Sequence, residues 1–330
     1  MPLPSTTPRV GVIGAGTIGR THIRTWQAVG VTPIAYADAN APALAVTLTE
    51  HGGEGFADGL DLIRSGTVDL VSICTPPVFH RDLVIAALEA GVAVLCEKPM
   101  ARTLEDAEAM HAATERTGTL FTVGFCHRFQ PHLEVLKAMI DGGELGTVMS
   151  YRNRFAGHKA DAEKTWFANP AIAGGGVLAD TSVHSIDMFR YLVGEPVAVH
   201  AFTSTRGTEL GPALEVDDTA ALMLQTAEGA IGVIESSWRT PGAEWSVAVY
   251  GSGGTAYVDY QDLTLNVVGP DRQSRVIDVP EGDRFEREFA HLLACWRGDA
   301  TPRVTSADGL AANRILDAAY RSAECAVRLE

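Results

Sequence analysis

The sequence has few cysteines and no long apolar run, and each shortage excludes a class of protein. Its 330 residues include five cysteines, and no two of them form a C-x-x-C pair, so neither a disulfide framework nor a paired-cysteine metal motif is indicated. No run approaches the roughly 18 apolar residues of a transmembrane helix. The first nine residues contain three prolines and no apolar core, so we expect no signal peptide. These features predict a cytoplasmic protein in a reducing compartment.

Positive charge is also scarce. Lys and Arg number 26 against 41 Asp and Glu, the net charge is −15, and both halves of the chain, split at Phe125, are acidic. Binding to a phosphate backbone needs clustered Lys and Arg, so nucleic acid and anionic membranes are poor partners. A small anionic cofactor can still bind through backbone N–H groups. The composition is ordinary for a globular protein, and the length suggests two domains.

The first 125 residues alternate short apolar strands with helices. Strands are predicted at 9–13, 31–37, 68–74, 92–96 and 120–125, and helices at 17–29, 41–51, 60–65, 80–90 and 103–117. Because helices separate strands that are continuously apolar, the pattern predicts a parallel sheet covered on both faces. We therefore predict a doubly wound α/β domain over residues 1–125, with its ligand beyond the carboxyl ends of the strands.

The pattern changes after Phe125. Helices are predicted at 131–140 and, in the tail, at 284–297 and 307–328. A further helix is predicted to follow a glycine-rich loop at 171–176 and to end at about residue 193. Strands are predicted at 148–155, 197–204, 218–226, 230–238, 245–251, 255–260, 263–268 and 274–279. Closely spaced strands without intervening helices favour an antiparallel sheet. Residues 126–330 are therefore predicted to form a second domain of the α+β class.

A G-x-G-x-x-G motif lies between the first predicted strand and the first predicted helix, as in a Rossmann domain. Gly14 allows a tight turn, Gly16 lets a pyrophosphate approach the backbone, and Gly19 lets the helix pack close to its strand. Thr17 and Ile18 open the helix, whose N-terminus offers N–H donors to phosphates. A glycine-rich turn without a ligand is the alternative. The strand and helix on either side favour dinucleotide binding.

Asp38 lies 19 residues after Gly19 and ends the second predicted strand. A carboxylate there can accept hydrogen bonds from the adenosine ribose hydroxyls, and it repels a 2′-phosphate. Residues 39–42 contain no Arg or Lys to neutralise such a phosphate. The pattern therefore favours NAD over NADP as the cofactor, and the alternative is a surface Asp in a turn.

Two polar segments follow the third and fourth predicted strands, where ligands bind to such sheets. The first segment holds Thr75, Pro76 and His80, and the second holds Glu97 and Lys98. A lysine desolvated beside a nicotinamide can act as an acid or base, or as a fixed positive charge. The alternative for Lys98 is a salt-bridged surface lysine, and the alternative for His80 is a polar residue at a helix N-terminus.

A third candidate site follows three glycines at 174–176. Asp180, His184 and Asp187 stand at i, i+4 and i+7, so a helix would place them on one face. A histidine can take a hydroxyl proton near neutral pH, and the three residues could form a proton-transfer set. The alternative is that Asp180 caps the helix and His184 is a buried histidine with satisfied hydrogen bonds. The few Cys and His residues show no ligand spacing, so we expect no metal site.

Seven segments together resemble the Gfo/Idh/MocA oxidoreductase family. They are GAGTIG, TPPVFH, CEKPM, GFCHRFQP, GGGVLADTSVHSID, and EVDDTAALML followed by GSGGTAYVD. The E-K-P and G-G-G-x-L-x-D-x-x-x-H-x-x-D elements are far more specific than the glycine motif. The resemblance spans nearly the whole chain and implies an NAD(P)-dependent oxidoreductase of sugars, cyclitols or related polyols. It also implies a substrate-binding second domain with an open, mostly antiparallel sheet, whose exposed face builds homodimers or homotetramers.

The resemblance implies a role for each matched residue. Lys98 would lie near the substrate hydroxyl and the nicotinamide. His184 would accept the proton of that hydroxyl, or donate it in the reverse direction. Asp180 would orient His184 or bind a neighbouring hydroxyl. Arg128 would lie near the cofactor or substrate, and Asp187 would be structural.

Substrate contacts are expected from the start of the second domain and from the loop at 156–169. That loop matches no general pattern of the family, and such loops tend to choose the substrate. Its candidates are His158, Lys159 and Trp166, and His127, the first residue of the H-R-F segment, is a further candidate. The alternative for each loop residue is a surface side chain or a packing aromatic.

The predicted mechanism is reversible hydride transfer between a secondary alcohol carbon and the C4 atom of nicotinamide. Two alternatives remain open at this stage. One is a glycosidase that oxidises its substrate transiently with tightly held NAD, and the other is a non-catalytic NAD-binding regulator. Because the chain has both Lys98 and His184, the regulator is disfavoured, since a sensor needs no proton-transfer groups.

Overall fold

The computed structural model describes residues 7–206 and 211–325. The chain divides into two compact units. The first combines residues up to Cys126 with Asp283–Asn313, and the second combines His127–Gly282 with the residues from Arg314 onward. The sequence predicted one boundary after residue 125, so the return of 283–313 to the first unit differs from that prediction.

Six parallel strands form the sheet of the first unit. They are β1 (Val10–Ile13), β2 (Ala35–Ala37), β3 (Glu54–Phe56), β4 (Leu70–Ile73), β5 (Ala93–Cys96) and β6 (Phe121–Val123). Their order is β3-β2-β1-β4-β5-β6, so the chain changes direction across the sheet between β1 and β4, where doubly wound folds bind ligands. The predicted doubly wound sheet is confirmed. Strand β3 was missed because its three residues are exposed or half-buried and show no apolar run.

Five helices connect these strands: α1 (Thr17–Ala28), α2 (Ala41–His51), α3 (Gly59–Arg64), α4 (His80–Glu89) and α5 (Leu104–Thr117). Local capping sets several of their ends. The Thr103 hydroxyl accepts the N–H of Asp106 at 3.1 Å and starts α5, as Thr does at helix N-termini. Gly118, with φ of +64°, ends the same helix in the left-handed conformation.

Eight strands form the sheet of the second unit. They are β7 (Val148–His158), β8 (Pro196–Ser204), β9 (Thr219–Thr226), β10 (Ile231–Ser237), β11 (Arg239–Gly251), β12 (Gly254–Asp259), β13 (Thr264–Val268) and β14 (Ser274–Val276). Their order is β14-β13-β12-β11-β7-β10-β9-β8. Only the β7–β10 pair is parallel among these described strands. The predicted mostly antiparallel sheet is confirmed.

Three helices of the second unit follow: α6 (Pro131–Asp141), α7 (Pro170–Ala173) and α8 (Val183–Leu192). Helix α7 lies where a glycine-rich loop was predicted, because the Asn169 side chain accepts the N–H of Ala171 and caps a short turn. A π-helical turn, Leu178–Ser182, leads directly into α8. Helix α8 packs closely on the sheet, since a Cβ at Gly232 would come within 2.6 Å of the Phe189 ring.

Two helices end the described chain: α9 (Arg284–Arg297) and α10 (Ser306–Glu324). The predicted end of the last helix, at 328, lies outside the described residues. Helix α9 contacts α1, and Phe289 lies with its ring centre 4.6 Å from that of Trp26. Leu292 and Leu293 are buried in the same core. The apolar face of α9, formed by these three residues, explains why 283–313 belongs to the first unit. No helix in the described ranges is long and apolar enough to cross a bilayer.

Candidate active site

The glycine motif of the first unit forms a tight turn between β1 and α1. Gly14 has φ of +98°, and a Cβ there would come 2.8 Å from the backbone of Cys74. A Cβ on Gly19 would overlap the carbonyl oxygen of Gly14, so only glycine lets the helix start this close to the strand. A Cβ on Gly16 would meet no atom within 4 Å. The open space at Gly16 fits a pyrophosphate approaching the backbone.

The first turn of α1 suits an anion. Thr17 and Ile18 begin the helix, and the turn carries no acidic side chain. The first N–H groups of a helix lack intrahelical partners and carry partial positive charge. Nearby, the buried hydroxyl of Thr75 at the end of β4 has no hydrogen-bond partner among the described residues. These features fit a dinucleotide at the carboxyl edge of the first sheet.

Asp38 follows β2 directly and has a fixed orientation. One carboxylate oxygen accepts the N–H of Ala15 at 2.6 Å, and the other accepts the N–H of Asn40 at 2.7 Å. Each carboxylate oxygen has a further lone pair. The side chain can therefore still accept a hydrogen bond from a ribose hydroxyl while two backbone groups hold it.

His80 is buried between two loops of the first unit. Its Nε2 atom lies 2.8 Å from the carbonyl oxygen of Thr75, and its Nδ1 atom lies 3.1 Å and 3.2 Å from those of Pro99 and Met100. Burial lowers the pKa of His80 more than these carbonyl contacts raise it. The sequence grouped His80 with Pro76 as a cofactor contact, but its ring is fully buried. It therefore holds the loops after β4 and β5 in place.

Glu97 and His22 form a buried pair beside Lys98. The Nε2 atom of His22, in α1, lies 2.9 Å from Oε1 of Glu97, and Oε2 of Glu97 accepts the Lys98 N–H at 3.1 Å. Burial alone would raise the pKa of Glu97, but the hydrogen bond and charge of His22, with the charge of Lys98, lower it. Sequence reasoning missed His22. The available signal was a polar residue on the buried face of α1, four residues before Trp26.

In the second unit, His127 and His184 lie together. Their ring centres are 4.5 Å apart. The Nδ1 atom of His127 is 3.0 Å from the hydroxyl of Tyr260, and its ring lies near those of Phe155 and Trp245. His127 is buried and His184 is half-buried. Two candidates that are 57 residues apart in the sequence thus form one imidazole pair.

The two acids of the third candidate site form ion pairs with different residues. Asp180 pairs with Lys159 at 2.9 Å, whereas Asp187 pairs with Arg128. The sequence predicted that both acids share one helix face with His184. The π-helical turn before α8 changes the spacing of a regular α-helix. Asp187 therefore points to Arg128 and not to the side on which Asp180 lies.

Arg128 is buried in a bidentate ion pair. Its Nε atom is 2.8 Å from Oδ2 of Asp187, and its Nη2 atom is 2.6 Å from Oδ1. Both side chains are almost fully buried. The resemblance placed Arg128 near a ligand and gave Asp187 a structural role. The ion pair connects the segment that carries Arg128 to α8, and the place of Arg128 near a ligand stays a prediction.

The loop at 156–169 contains a lysine enclosed by aromatic rings. The Nζ atom of Lys159 lies 3.1 Å from the ring centre of Phe167 and 4.4 Å from that of Trp238. Trp166 is half-buried and stacks on Phe167 with ring centres 3.8 Å apart. His158 ends β7 and is exposed. Sequence reasoning named His158, Lys159 and Trp166 but could not see the aromatic enclosure.

Asp217 is a second residue that the sequence reasoning did not single out. Its buried carboxylate accepts the N–H groups of Gly176 and Leu178 at 2.9 Å and 2.7 Å, and the hydroxyl of Tyr320 at 2.8 Å. Burial raises the pKa of Asp217 despite these hydrogen bonds. The carboxylate therefore anchors the glycine-rich segment that leads to Asp180.

Comparison with protein families gives two matches. Residues 8–125 match a family described as an oxidoreductase family with an NAD-binding Rossmann fold. Residues 133–257 match the GFO/IDH/MocA C-terminal domain.

Several curated relatives are named as dehydrogenases. A levoglucosan dehydrogenase of Pseudarthrobacter phenanthrenivorans is 32% identical over 76% of this chain and 73% of its own length. An inositol 2-dehydrogenase of Rhizobium meliloti is 30% identical over 96% of this chain and 97% of its own length. Among solved structures, a levoglucosan dehydrogenase in complex with NADH and levoglucosan superposes with a TM-score of 0.88 at 27% identity, covering 96% of each chain.

Proposed function

Because the chain belongs to the Gfo/Idh/MocA family of NAD-binding oxidoreductases, we propose that it is a dehydrogenase of a sugar, cyclitol or related polyol. It transfers a hydride between nicotinamide and a secondary hydroxyl carbon. The observation that carries this proposal is the turn at Gly14–Gly19, which is open at Gly16 and lies beside the fixed carboxylate of Asp38. The named activities of the relatives support the substrate class.

The first unit would hold the cofactor. The N–H groups at Thr17 and Ile18 would face the pyrophosphate, and Asp38 would accept hydrogen bonds from the adenosine ribose. The loops that carry Thr75, Pro76, Glu97 and Lys98 would border the nicotinamide half. Bound NAD supplies the hydride acceptor at C4 of its ring. An unneutralised carboxylate at position 38 favours NAD over NADP.

Three side chains would act on the substrate. His184 would take the proton of the reacting hydroxyl, because a neutral imidazole nitrogen can act as a general base. Lys98 would stabilise the negative charge that develops on the alkoxide. Asp180 would orient His184 or a neighbouring hydroxyl, while His127, His158 and Trp166 would line the substrate site of the second unit.

The experiment is a screen of the purified protein with NAD against cyclitols, aldoses and sugar acids, following NADH by absorbance. We expect at least one polyol or sugar to produce NADH. Lys98→Ala and His184→Ala should each lower kcat by ~100-fold or more, the contribution typical of an acid–base group. Full turnover in either variant would remove the role assigned to that residue. Release of free sugar from a glycoside without net NADH would point instead to a glycosidase.

The exposed face of the second sheet supports assembly into a homodimer or homotetramer. Phe202, Met223 and Tyr257 are 57%, 55% and 42% exposed. The strand register places Met223 opposite His200. Phe202 lies two residues after His200, so the side chains of Met223 and Phe202 share one face of the sheet. Contiguous exposed apolar side chains are typical of protein–protein interfaces. We propose that this face meets a second copy of the chain.

The thiols support a cytoplasmic location. Cys74, Cys96 and Cys126 are free and buried. Burial raises the pKa of Cys126 to about 12, with Arg284 partly opposing the effect. Protonated, buried thiols are unreactive and suit a reducing compartment.

A further inference from the structure

Asp217 accepts the backbone N–H groups of three consecutive residues. Its carboxylate accepts those of Gly176 and Leu178 at 2.9 Å and 2.7 Å, and its backbone carbonyl accepts that of Val177 at 2.8 Å. These three residues lead into the π-helical turn that precedes α8. The first N–H groups of a helical segment lack partners within it. Asp217 therefore caps this segment from another part of the second unit.

The hydroxyl of Tyr320, in α10, joins the same arrangement. It donates to Oδ1 of Asp217 at 2.8 Å and accepts the N–H of Gly176 at 3.2 Å. Together with the hydrogen bond between Gly176 and Asp217, these contacts form a closed triangle. A Cβ on Gly175 would overlap the Tyr320 hydroxyl, so the glycine segment passes directly against the tyrosine. One hydroxyl thus contacts both the capping carboxylate and the segment that it caps.

The capped segment continues to Asp180 and His184. The carbonyl oxygen of Gly176 accepts the N–H of Asp180 at 2.9 Å, so the residue held by Tyr320 is bonded directly to the backbone of Asp180. His184 lies in the first turn of α8, which follows the π-helical turn without a break. A displacement at Gly176 would therefore reach Asp180 through one hydrogen bond and His184 through the helical segment.

Removal of the Tyr320 hydroxyl would weaken this cap without abolishing it. Asp217 is 6% exposed, so water cannot easily replace a lost donor at its carboxylate. The N–H groups of Gly176 and Leu178 would still hold that carboxylate. The fold should therefore persist while the start of the segment becomes less firmly held.

We propose that Tyr320 is a positioning residue for the hydride-transfer reaction. Through Asp217 and Gly176 it fixes the start of the segment that carries Asp180 and His184. Reaction rates depend steeply on such placement, since a shift of about 1 Å can cost ~100-fold. This inference rests on the proposed function and adds to it a residue that acts through other groups.

The kinetic test compares Tyr320→Phe with wild type, below the temperature at which either protein unfolds. The variant loses one oxygen atom, and we expect kcat for the substrate found in the screen to fall about tenfold. The KM for NAD should stay unchanged, because the residues proposed to hold the cofactor lie in the first unit. A Tm lowered by about 2–4 °C with an unchanged kcat would reduce Tyr320 to a structural role and overturn the inference.

Tyr36 provides the matched control. It is 1% exposed, and its hydroxyl donates to the carbonyl oxygen of Pro33 at 2.9 Å. Tyr36→Phe therefore deletes the same atom from a hydrogen bond of similar length in the first unit. This variant should lower Tm and keep kcat. An equal fall of kcat in both variants would trace the effect to lost stability alone and contradict the inference.

A double-mutant cycle tests whether Tyr320 acts through Asp217. Asp217→Asn keeps the shape of the side chain but removes the charge that its three donors contact. In that background, Tyr320→Phe should lower kcat by no more than about twofold, because the two residues share one route to the segment. The same tenfold fall in both backgrounds would show that Tyr320 acts by another route.

Amide hydrogen exchange separates this inference from the proposed function, because it needs no turnover. Exchange is measured by mass spectrometry on peptides that cover residues 174–182. It should become about tenfold faster in Tyr320→Phe and stay unchanged in Tyr36→Phe. Unchanged exchange in Tyr320→Phe would overturn the inference whether or not the screen finds a substrate. Faster exchange without NADH from any substrate would support the contact of Tyr320 with the segment and contradict the proposed function.

Discussion

Asp38 shows how a single carboxylate can set cofactor choice. Two backbone N–H groups hold it after β2, so it cannot turn away from a ligand without losing both hydrogen bonds. A 2′-phosphate placed there would meet a fixed negative charge, and residues 39–42 contain no Lys or Arg to offset it. Cofactor preference should therefore depend on this one side chain.

We predict that Asp38→Ser moves the ratio of NAD to NADP affinity toward NADP by about tenfold or more, since the fixed repulsion disappears. The dissociation constants of the two cofactors, measured by calorimetry, give the ratio. Asp61→Ser, at an exposed position of α3, is the control and should leave the ratio unchanged. If Asp38→Ser also leaves it unchanged, the role assigned to Asp38 is wrong.

At the scale of elements, the buried pair of His22 and Glu97 joins α1 to the end of β5. The helix that opens at the glycine turn is thereby connected to the residue preceding Lys98. The pKa of Glu97 is lowered from its ordinary value of 4.5. A carboxyl group whose pKa falls on folding stabilises the native state above its unfolded pKa, and that contribution is lost as the pH falls through the folded pKa.

We therefore predict that Glu97→Gln costs about 1–3 kcal/mol of unfolding free energy at pH 7, because His22 loses a charged partner. The difference from wild type should begin to shrink as the pH falls below about 4.5 and should disappear as the pH falls through the lower pKa of the folded state, where wild type also loses the charge. Urea unfolding at several pH values measures both effects. Glu105→Gln, exposed on α5, is the control. A constant difference down to low pH would show that the charge of Glu97 is not what stabilises the fold.

Helix α9 illustrates what a sequence pattern can and cannot predict. Its bounds, 284–297, were predicted as observed because Phe289, Leu292 and Leu293 recur with helical spacing. The same pattern does not say which sheet the apolar face covers, so its place in the first unit was missed. Likewise, Glu97 and Asp180 were found from motifs, but their partners His22 and Lys159 lie 75 and 21 residues away. Pairings over such distances are set by tertiary packing and leave no local signal.

Phe289→Ala tests the contribution of α9 to the first unit. Phe289 is fully buried against His22 and Trp26, so truncation should cost about 3–5 kcal/mol of unfolding free energy. Phe79→Ala, at a residue 53% exposed in the same unit, should change it by no more than about 0.5 kcal/mol. Denaturant unfolding measures both. Equal effects would mean that α9 is not part of the cooperative core.

At the scale of the whole molecule, the second sheet has a face suited to assembly. One face of that sheet is covered by its own helices, since α6 and α8 contact strands β7, β10, β12 and β13. On the other face, Phe202, Met223 and Ile231 are at least 41% exposed. A sheet face this apolar suits a symmetric interface, in which each residue of one copy meets the same surface of the other.

We predict that wild type elutes at two or four times the 35.1 kDa chain mass, and that Met223→Asp shifts it toward the monomer. A two-fold interface contains position 223 of both copies, so Met223→Asp buries two carboxylates without partners in each interface, which is strongly unfavourable. Size-exclusion chromatography with light scattering measures the mass. Val46→Asp, at an apolar residue 44% exposed on α2, is the control because it adds the same charge elsewhere. A Met223→Asp protein that keeps the wild-type mass would place the interface on another surface.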